Sequence, residues 1–91
     1  MKKQVHVLVG GKVQGVCFRV SAREQAIKFA VQGLVRNLPD GRVEIIAQGM
    51  QTSVDRFVEW CEEGPEHARV DDLQVEKQVV GEEFQGFWIV G

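Results

Sequence analysis

The stretch 10–23, GGKVQGVCFRVSAR, joins an alternating apolar run to a helical pattern and constrains the fold more than any other segment. It contains three glycines and three basic residues, Lys12, Arg19 and Arg23, and no carboxylate. A helix N-terminus leaves about four backbone N–H groups without partners, and a Ser, Thr, Asp or Asn cap commonly satisfies them. Residues 16–18 are Val, Cys and Phe, so we predict an uncapped helix start that is open to an anion such as phosphate.

Charge is divided unevenly along the 91 residues. Residues 1–23 contain five Lys or Arg and no acid, a charge of +5, so residues 24–91 carry −7 because the whole chain carries −2. A nucleic acid footprint usually needs a broad basic face. A local positive patch on an acidic body therefore favours a small anionic ligand and disfavours nucleic acid. The length predicts a single domain, residues 1–91, around one core.

The cysteines and the N-terminus exclude several classes of protein. Two cysteines are too few for a disulfide framework, and their spacing lacks any paired metal-ligand pattern. The opening run, MKKQVHVLVG, is interrupted by Gln4 and His6 and is too short for a signal peptide or a membrane span. We therefore expect a cytoplasmic protein with no membrane partner and no zinc site. We also expect it to be a monomer.

Hydrophobic periodicity predicts the first strand and the first helix. Residues 4–9 alternate as a half-buried strand does, with three valines on one face, Val5, Val7 and Val9. After the glycine-rich stretch, apolar residues recur on one helical stripe, namely Phe18, Ala22, Ala26, Phe29 and Ala30. This helix should end near Gln32, at Gly33.

A hairpin is predicted around the turn residues 38–41, where Pro39 presets one backbone angle and Gly41 supplies a positive φ. In its second arm, Glu44 and Gln48 should lie on the open face of the sheet. The residues expected to face the core are Val43, Ile45 and Ala47.

A second helix is predicted where Thr52 is followed three residues later by Asp55, a spacing that resembles a capping box. We expect this helix to cap itself and to end at Gly64. Its apolar stripe contains Val54, Phe57, Val58 and Cys61. Two more strands should follow, within residues 70–80 and 87–90.

The resulting order is strand, helix, strand, strand, helix, strand, with a short terminal strand. Helices that pack on one face of an antiparallel sheet would bury both helical stripes. We therefore predict an α+β, ferredoxin-like βαββαβ sandwich, with both helices on one face. Right-handed crossovers would bring the glycine-rich stretch to one end of the sheet.

Two segments resemble the signatures of the acylphosphatase family: GKVQGVCFR at 11–19 and VRNLPDGRVE at 35–44. Residues 64–65 and 68–70 and the aromatic C-terminal strand add to the likeness, which covers nearly the whole chain. The resemblance implies a ferredoxin-like fold and an enzyme that hydrolyses acyl phosphates to a carboxylate and inorganic phosphate, without metal or cofactor.

The resemblance also implies which residues act. Arg19 would bind the phosphate oxygens and Asn37 would position the attacking water. The backbone that holds the phosphate would be that of Gln14, Gly15, Val16, Cys17, Phe18 and Arg19. Cys17 stands where the family often has Gly, and Leu34 where an aromatic residue is common.

The chemistry of these residues agrees with that implied reaction. A carboxylate is a good leaving group and needs no general acid. Phosphoryl transfer through a loose transition state requires mainly positioning and charge stabilisation, which a guanidinium and N–H donors supply. Asn37 can orient a water but is a poor base, so the substrate phosphate itself would take the proton.

Two other functions remain open on the sequence. The same fold often serves as a non-catalytic small-anion-binding or regulatory module. Cys17 and Arg23 also have the spacing of a cysteine-dependent phosphatase, Cys, five residues, Arg. The residues between them lack glycine and have a helical pattern, which does not suit a curled phosphate cradle.

Overall fold

The computed structural model describes all of residues 1–91 and contains five strands and two helices. These are β1 (Lys2–Lys12), α1 (Phe18–Lys28), β2 (Gln32–Asn37), β3 (Val43–Met50), α2 (Gln51–Glu63), β4 (Arg69–Gln78) and β5 (Phe87–Ile89). The strands form one sheet in the order β4-β1-β3-β2-β5. The predicted ferredoxin-like βαββαβ fold is confirmed. Neither helix has the length and apolar content that crossing a bilayer requires.

The predicted antiparallel sheet is correct for four strands and wrong for the fifth. Strands β1, β2, β3 and β4 pair antiparallel, whereas β5 pairs parallel with β2, Gly33 facing Phe87 and Val35 facing Ile89. The chain leaves β4 at the end of the sheet where β2 begins. At that end Gln78 pairs with Gln4, Gln4 pairs with Gln48, and Gln48 pairs with Gln32, the first residue of β2. A strand that starts there and runs along β2 must be parallel to it.

The core lies between the helices and one face of the sheet, as the alternation of the strands predicts. Val7, Val9, Val35, Val43, Ile45 and Ala47 have no exposed surface. The helices bury a narrow apolar stripe against them. Its fully or almost fully buried residues are Phe18, Ala22, Ala26, Val54, Phe57 and Cys61. Burial raises the pKa of the Cys61 thiol, which is consistent with a small apolar core residue.

Strand β1 is longer than predicted and includes residues 10–12 of the glycine-rich stretch. Gly10, Gly11 and Lys12 pair with β4, with a shift of register between Gly10 and Gly11. Gly11 has φ 123, and a Cβ there would lie 2.2 Å from the carbonyl oxygen of Arg69. This glycine therefore permits two strands to approach, and the connection to α1 shrinks to residues 13–17, here called the β1–α1 loop.

Helix α1 ends at Lys28, earlier than the predicted end near Gln32. Ala30 has φ 59, and the N–H groups of Ala30 and Val31 donate to the carbonyls of Ile27 and Ala26. This is the Schellman arrangement that usually has glycine at the left-handed position. Ala30 is consequently exposed, contrary to its predicted place on the buried stripe.

The predicted capping box of α2 is wrong. The helix begins at Gln51 with Met50 as its N-cap, and no side chain caps it. Thr52 lies inside the helix and Asp55 pairs with Lys3 at 2.8 Å. Strand β3 leads directly into the helix, so the helix begins before the position at which Thr52 could act as cap. The predicted stop at Gly64 is confirmed.

The open face of the sheet is partly covered by residues 79–86, between β4 and β5. Gln48 was expected on this open face but is fully buried. Its side-chain amide donates to the Glu82 carbonyl at 2.9 Å and accepts from the Phe84 N–H at 3.0 Å. Gln48 thereby fixes the path by which the chain reaches β5.

Candidate active site

The β1–α1 loop bends sharply as it enters the helix. Gly15 has φ 75 and Cys17, the N-cap of α1, has φ 62 and ψ 26. A left-handed conformation is uncommon for a residue with a Cβ and typically marks a tight turn or a functional site. Left-handed residues within such a turn direct successive N–H groups toward one concave side, which suits an anion.

The backbone N–H groups at this helix start have no partner within the protein. The first bond of the helix runs from the Ser21 N–H to the Cys17 carbonyl, and none of the N–H groups of residues 15–20 donates to another protein atom. No side chain caps the helix and no acid lies in its first turn. The predicted uncapped helix start is confirmed.

A cavity of about 370 Å³ lies beside this loop. Its lining residues are Val13, Gly15, Cys17, Phe18, Arg19, Val20, Asn37 and Ile89. Arg19 is its only charged residue, and no carboxylate borders it. The cavity thus combines a guanidinium with one end of a helix whose dipole is positive, an arrangement that favours an anion.

Asn37 is the last residue of β2 and borders the same cavity as Arg19. Its Oδ1 atom is buried and has no hydrogen-bond partner within the protein. A buried acceptor without a partner costs about 1–3 kcal/mol and is uncommon in folded proteins. Asn37 thus carries a buried side-chain acceptor that the fold itself leaves without a partner.

The other residues assigned to the loop lie at different places. Phe18 buries its ring against Trp60, with centroids 5.4 Å apart. Val16 lies outside this cavity and borders a second one of about 580 Å³, with Lys12 and His67. The Gln14 side chain also lies outside and donates to two carbonyls of the β2–β3 turn.

Two apolar residues that line the cavity, Val20 and Ile89, were not predicted from the sequence. Val20 is 54% exposed on α1 and Ile89 is 39% exposed on β5. An exposed valine on a helix carries no signal of its own. Ile89 reaches this cavity only because β5 lies next to β2, which the sequence did not reveal.

The arrangement of Cys17 and Arg23 does not match a cysteine-dependent phosphatase. The Arg23 side chain lies outside the cavity and donates from Nε to the Phe87 carbonyl at 3.1 Å. It joins α1 to β5, so the helix geometry directs it away from the thiol. Cys17 is exposed and borders the cavity, where Arg19 is the only basic residue.

Other charged groups near the site pair with one another. Arg42 donates to Asp40 at 2.8 Å and 3.0 Å, from its side chain and its backbone, and these bonds lower the pKa of Asp40. On the open sheet face, hydrogen bonds from His6 and then from Arg36 hold the pKa of Glu44 below its usual value. None of these residues borders the cavity, so Arg19 is the charge available to a ligand there.

Comparison with known proteins agrees with this geometry. The acylphosphatase family model matches residues 5–89. The chain belongs to the acylphosphatase family. An acylphosphatase of Rubrobacter xylanophilus is 52% identical over 85 residues, 93% of this chain and 77% of that protein.

Solved acylphosphatase structures have the same fold. The acylphosphatase of Bacillus subtilis superposes with a TM-score of 0.94 at 37% identity and covers 100% of both chains. That of Coxiella burnetii gives 0.93 at 40% identity, over 98% of this chain and 93% of that one. The protein is thus a hydrolase of the acylphosphatase class, and this class implies a small acyl phosphate as substrate and phosphate as product.

Proposed function

We propose that the cavity between the β1–α1 loop and Asn37 binds the phosphate of an acyl phosphate and directs a water at its phosphorus atom. One observation supports this most: Arg19, loop residues whose N–H groups have no partner, and Asn37 all border a single cavity although they come from different elements.

Phosphate binding is assigned to the backbone and to Arg19. The N–H groups of residues 15–20 donate to no protein acceptor and lie at the positive end of α1. Arg19 is half-buried in the first turn of that helix, where a basic side chain opposes the dipole and gains nothing for folding. A bound phosphate dianion removes that penalty and receives charge-assisted hydrogen bonds from the planar guanidinium.

Water positioning is assigned to Asn37. Its partnerless Oδ1 can accept one proton of the water, which leaves an oxygen lone pair for the phosphorus atom. Asn37 is a neutral amide and does not remove the proton. Its contribution is to hold the nucleophile close and in line with the leaving group.

The proposed reaction needs no general acid, because the carboxylate leaves without a proton. The water oxygen forms a bond to phosphorus, and the bond between phosphorus and the acyl oxygen breaks, with its electron pair leaving on the carboxylate. The proton of the water passes to a phosphate oxygen of the substrate. Charge that develops on the equatorial phosphate oxygens is met by Arg19 and the loop amides, which are already in place.

The acyl group is assigned to the apolar side of the cavity, formed by Val20 and Ile89. The phosphate must face the polar side, so the rest of the substrate lies along these two side chains or extends into solvent. We further propose that the protein acts in the cytoplasm as a monomer, without a nucleic acid or membrane partner.

Hydrolysis of benzoyl phosphate in ¹⁸O-labelled water, followed in ultraviolet light beside an aryl phosphate ester, tests the reaction. We expect rapid cleavage of the anhydride, label in inorganic phosphate and an intact ester. Label in benzoate would place the attack at the carbonyl carbon. Cleavage of the ester would favour the thiol mechanism, and an inert protein that binds phosphate would favour the regulatory module.

A phosphate titration tests the binding site separately. Inorganic phosphate added to ¹⁵N-labelled protein should shift the amide resonances of residues 15–20. The amides of residues 51–54, at the start of α2, should not move. Shifts confined to other residues would remove the β1–α1 loop from the site.

A further inference from the structure

Gln14 forms the side-chain link between the β1–α1 loop and the β2–β3 turn. Its Nε2 atom donates to the carbonyl oxygen of Leu38 at 2.9 Å and to that of Arg42 at 2.9 Å. The side-chain amide of Gln14 thus binds both ends of the turn, one carbonyl on each. No other side-chain hydrogen bond joins the loop to this turn.

The turn that Gln14 binds is itself well fixed. The Leu38 N–H donates to the Arg42 carbonyl at 2.8 Å, and the Gly41 N–H donates to the Leu38 carbonyl at 3.2 Å. Arg42 also binds Asp40 through its backbone N–H and its side chain. Loops are generally more mobile than the strands and helices that they connect. Gln14 therefore attaches the β1–α1 loop to a turn that its own hydrogen bonds hold in place.

Asn37 directly precedes Leu38, whose carbonyl accepts one of the two bonds. Arg19 lies on the other element, in the first turn of α1 and two residues after the β1–α1 loop ends. The distance between these two groups depends on how the loop sits against the turn. A shift of about 1 Å between reacting groups can reduce a rate roughly a hundredfold.

We propose that Gln14 is a positioning residue, whose side-chain amide fixes Asn37 relative to the phosphate-holding loop by binding the carbonyls of Leu38 and Arg42. The proposal rests on the function assigned above to Asn37. It gives the Gln14 side chain a task distinct from phosphate binding, which is assigned to backbone amides. Phosphate affinity should accordingly depend little on this side chain, and turnover should depend on it strongly.

Kinetics of the Gln14→Met variant test this separation. Methionine keeps the length and removes both donors. We expect kcat to fall about tenfold or more, while the inhibition constant of inorganic phosphate changes by less than about threefold. An unchanged kcat, or a phosphate affinity that falls as much as kcat, would overturn the proposal. Gln14→Asn, which keeps the donors but shortens their reach, should show the same pattern if the methionine variant folds poorly.

The matched control is Gln4→Met. Gln4 is also half-buried and also has two side-chain hydrogen bonds, to Gln78 and Gln48, but at the far end of the sheet. This variant should lose stability with kcat and KM unchanged. If it loses kcat as Gln14→Met does, loss of stability explains both.

A double-mutant cycle with Asn37→Ala separates positioning from a general structural effect. If Gln14 acts through Asn37, Gln14→Met should lower kcat by less than about twofold in the Asn37→Ala background. A full additional loss in that background would refute the inference while leaving the role of Asn37 intact. If Asn37→Ala itself retains full kcat, the assignment of Asn37 fails instead, and the two failures are distinguishable.

Discussion

The starts of the two helices have much in common and differ in one respect that decides function. Neither has a side-chain cap and neither has an acid in its first turn. At α2, however, the Gln51 N–H donates to the Met1 carbonyl at 2.9 Å, and Lys3 pairs with Asp55 one turn further on. At α1 the N–H groups donate to nothing in the protein, and Arg19 and Asn37 border a cavity there.

The comparison shows that a missing cap is not by itself the mark of an anion site. The Met1 carbonyl accepts from one N–H group at the start of α2, whereas a loop with two left-handed residues opens the start of α1. The two starts lie at opposite ends of the sheet, because α1 follows the end of β1 and α2 follows the end of the antiparallel strand β3. Position and loop curvature, together with the guanidinium, make the difference.

The largest expected effect is that of Arg19→Gln. Loss of the one charge at the cavity should reduce kcat/KM by about a thousandfold, as removal of a phosphate-binding arginine does in other phosphoryl transfers. Binding of inorganic phosphate should weaken in parallel, by inhibition assay. Arg56→Gln, which removes an exposed arginine from α2, should leave both unchanged. A fully active Arg19→Gln enzyme would mean that the two helix starts do not differ in this way.

Asn37→Ala should lower kcat by about a hundredfold or more, the size of effect seen when one key polar group of an active site is removed. Inhibition by inorganic phosphate should stay nearly intact, because Asn37 is assigned to water and not to phosphate. Steady-state kinetics with benzoyl phosphate measure both. An equal loss of phosphate affinity would move Asn37 into the phosphate shell.

Cys17→Ala should retain most of its activity, within about threefold, because the loop acts through backbone N–H groups and not through the thiol. Alanine keeps the left-handed strain that cysteine has at this position. Circular dichroism should confirm the fold before kcat is compared. A folded but inactive variant would restore the thiolate mechanism.

Thr52→Ala should have the smallest effect. An exposed threonine inside a helix contributes less than about 0.5 kcal/mol, whereas loss of a true N-cap costs about 1 kcal/mol. Urea unfolding of the variant and the wild type measures the difference. A loss near the larger value would mean that Thr52 caps α2 in solution.

The spacing of the apolar residues predicted the strands and their buried faces well. In β1 and β3 successive side chains point to opposite faces of the sheet, and this is a local property that the sequence shows directly. It misplaced the end of α1, since a left-handed Ala30 has no sequence signal comparable to glycine. It also gave α2 a capping box, because Thr52 and Asp55 have the right spacing but lie after the helix has begun.

At the site, the uncapped helix start followed from the residues themselves. That Arg19 and Asn37 belong to one site came from the family resemblance. Neither periodicity nor composition could bring β5 beside β2, so Ile89 was missed. The partners of the Gln14 side chain lie far away along the chain and could not be found from local pattern. At the site, contacts between distant segments account for what the sequence left undecided.

Strand β1, which leads into the site, pairs with β4 from Gln4 opposite Gln78 to Lys12 opposite Arg69. The chain must therefore emerge from the ribosome as far as Gln78 before this inner strand has both of its neighbours. Such distant pairing slows folding and leaves strand edges exposed in the meantime. A growing chain that has reached only α2 would hold Arg19 and Asn37 without β4 and β5, the two edge strands, so catalytic competence should arrive late.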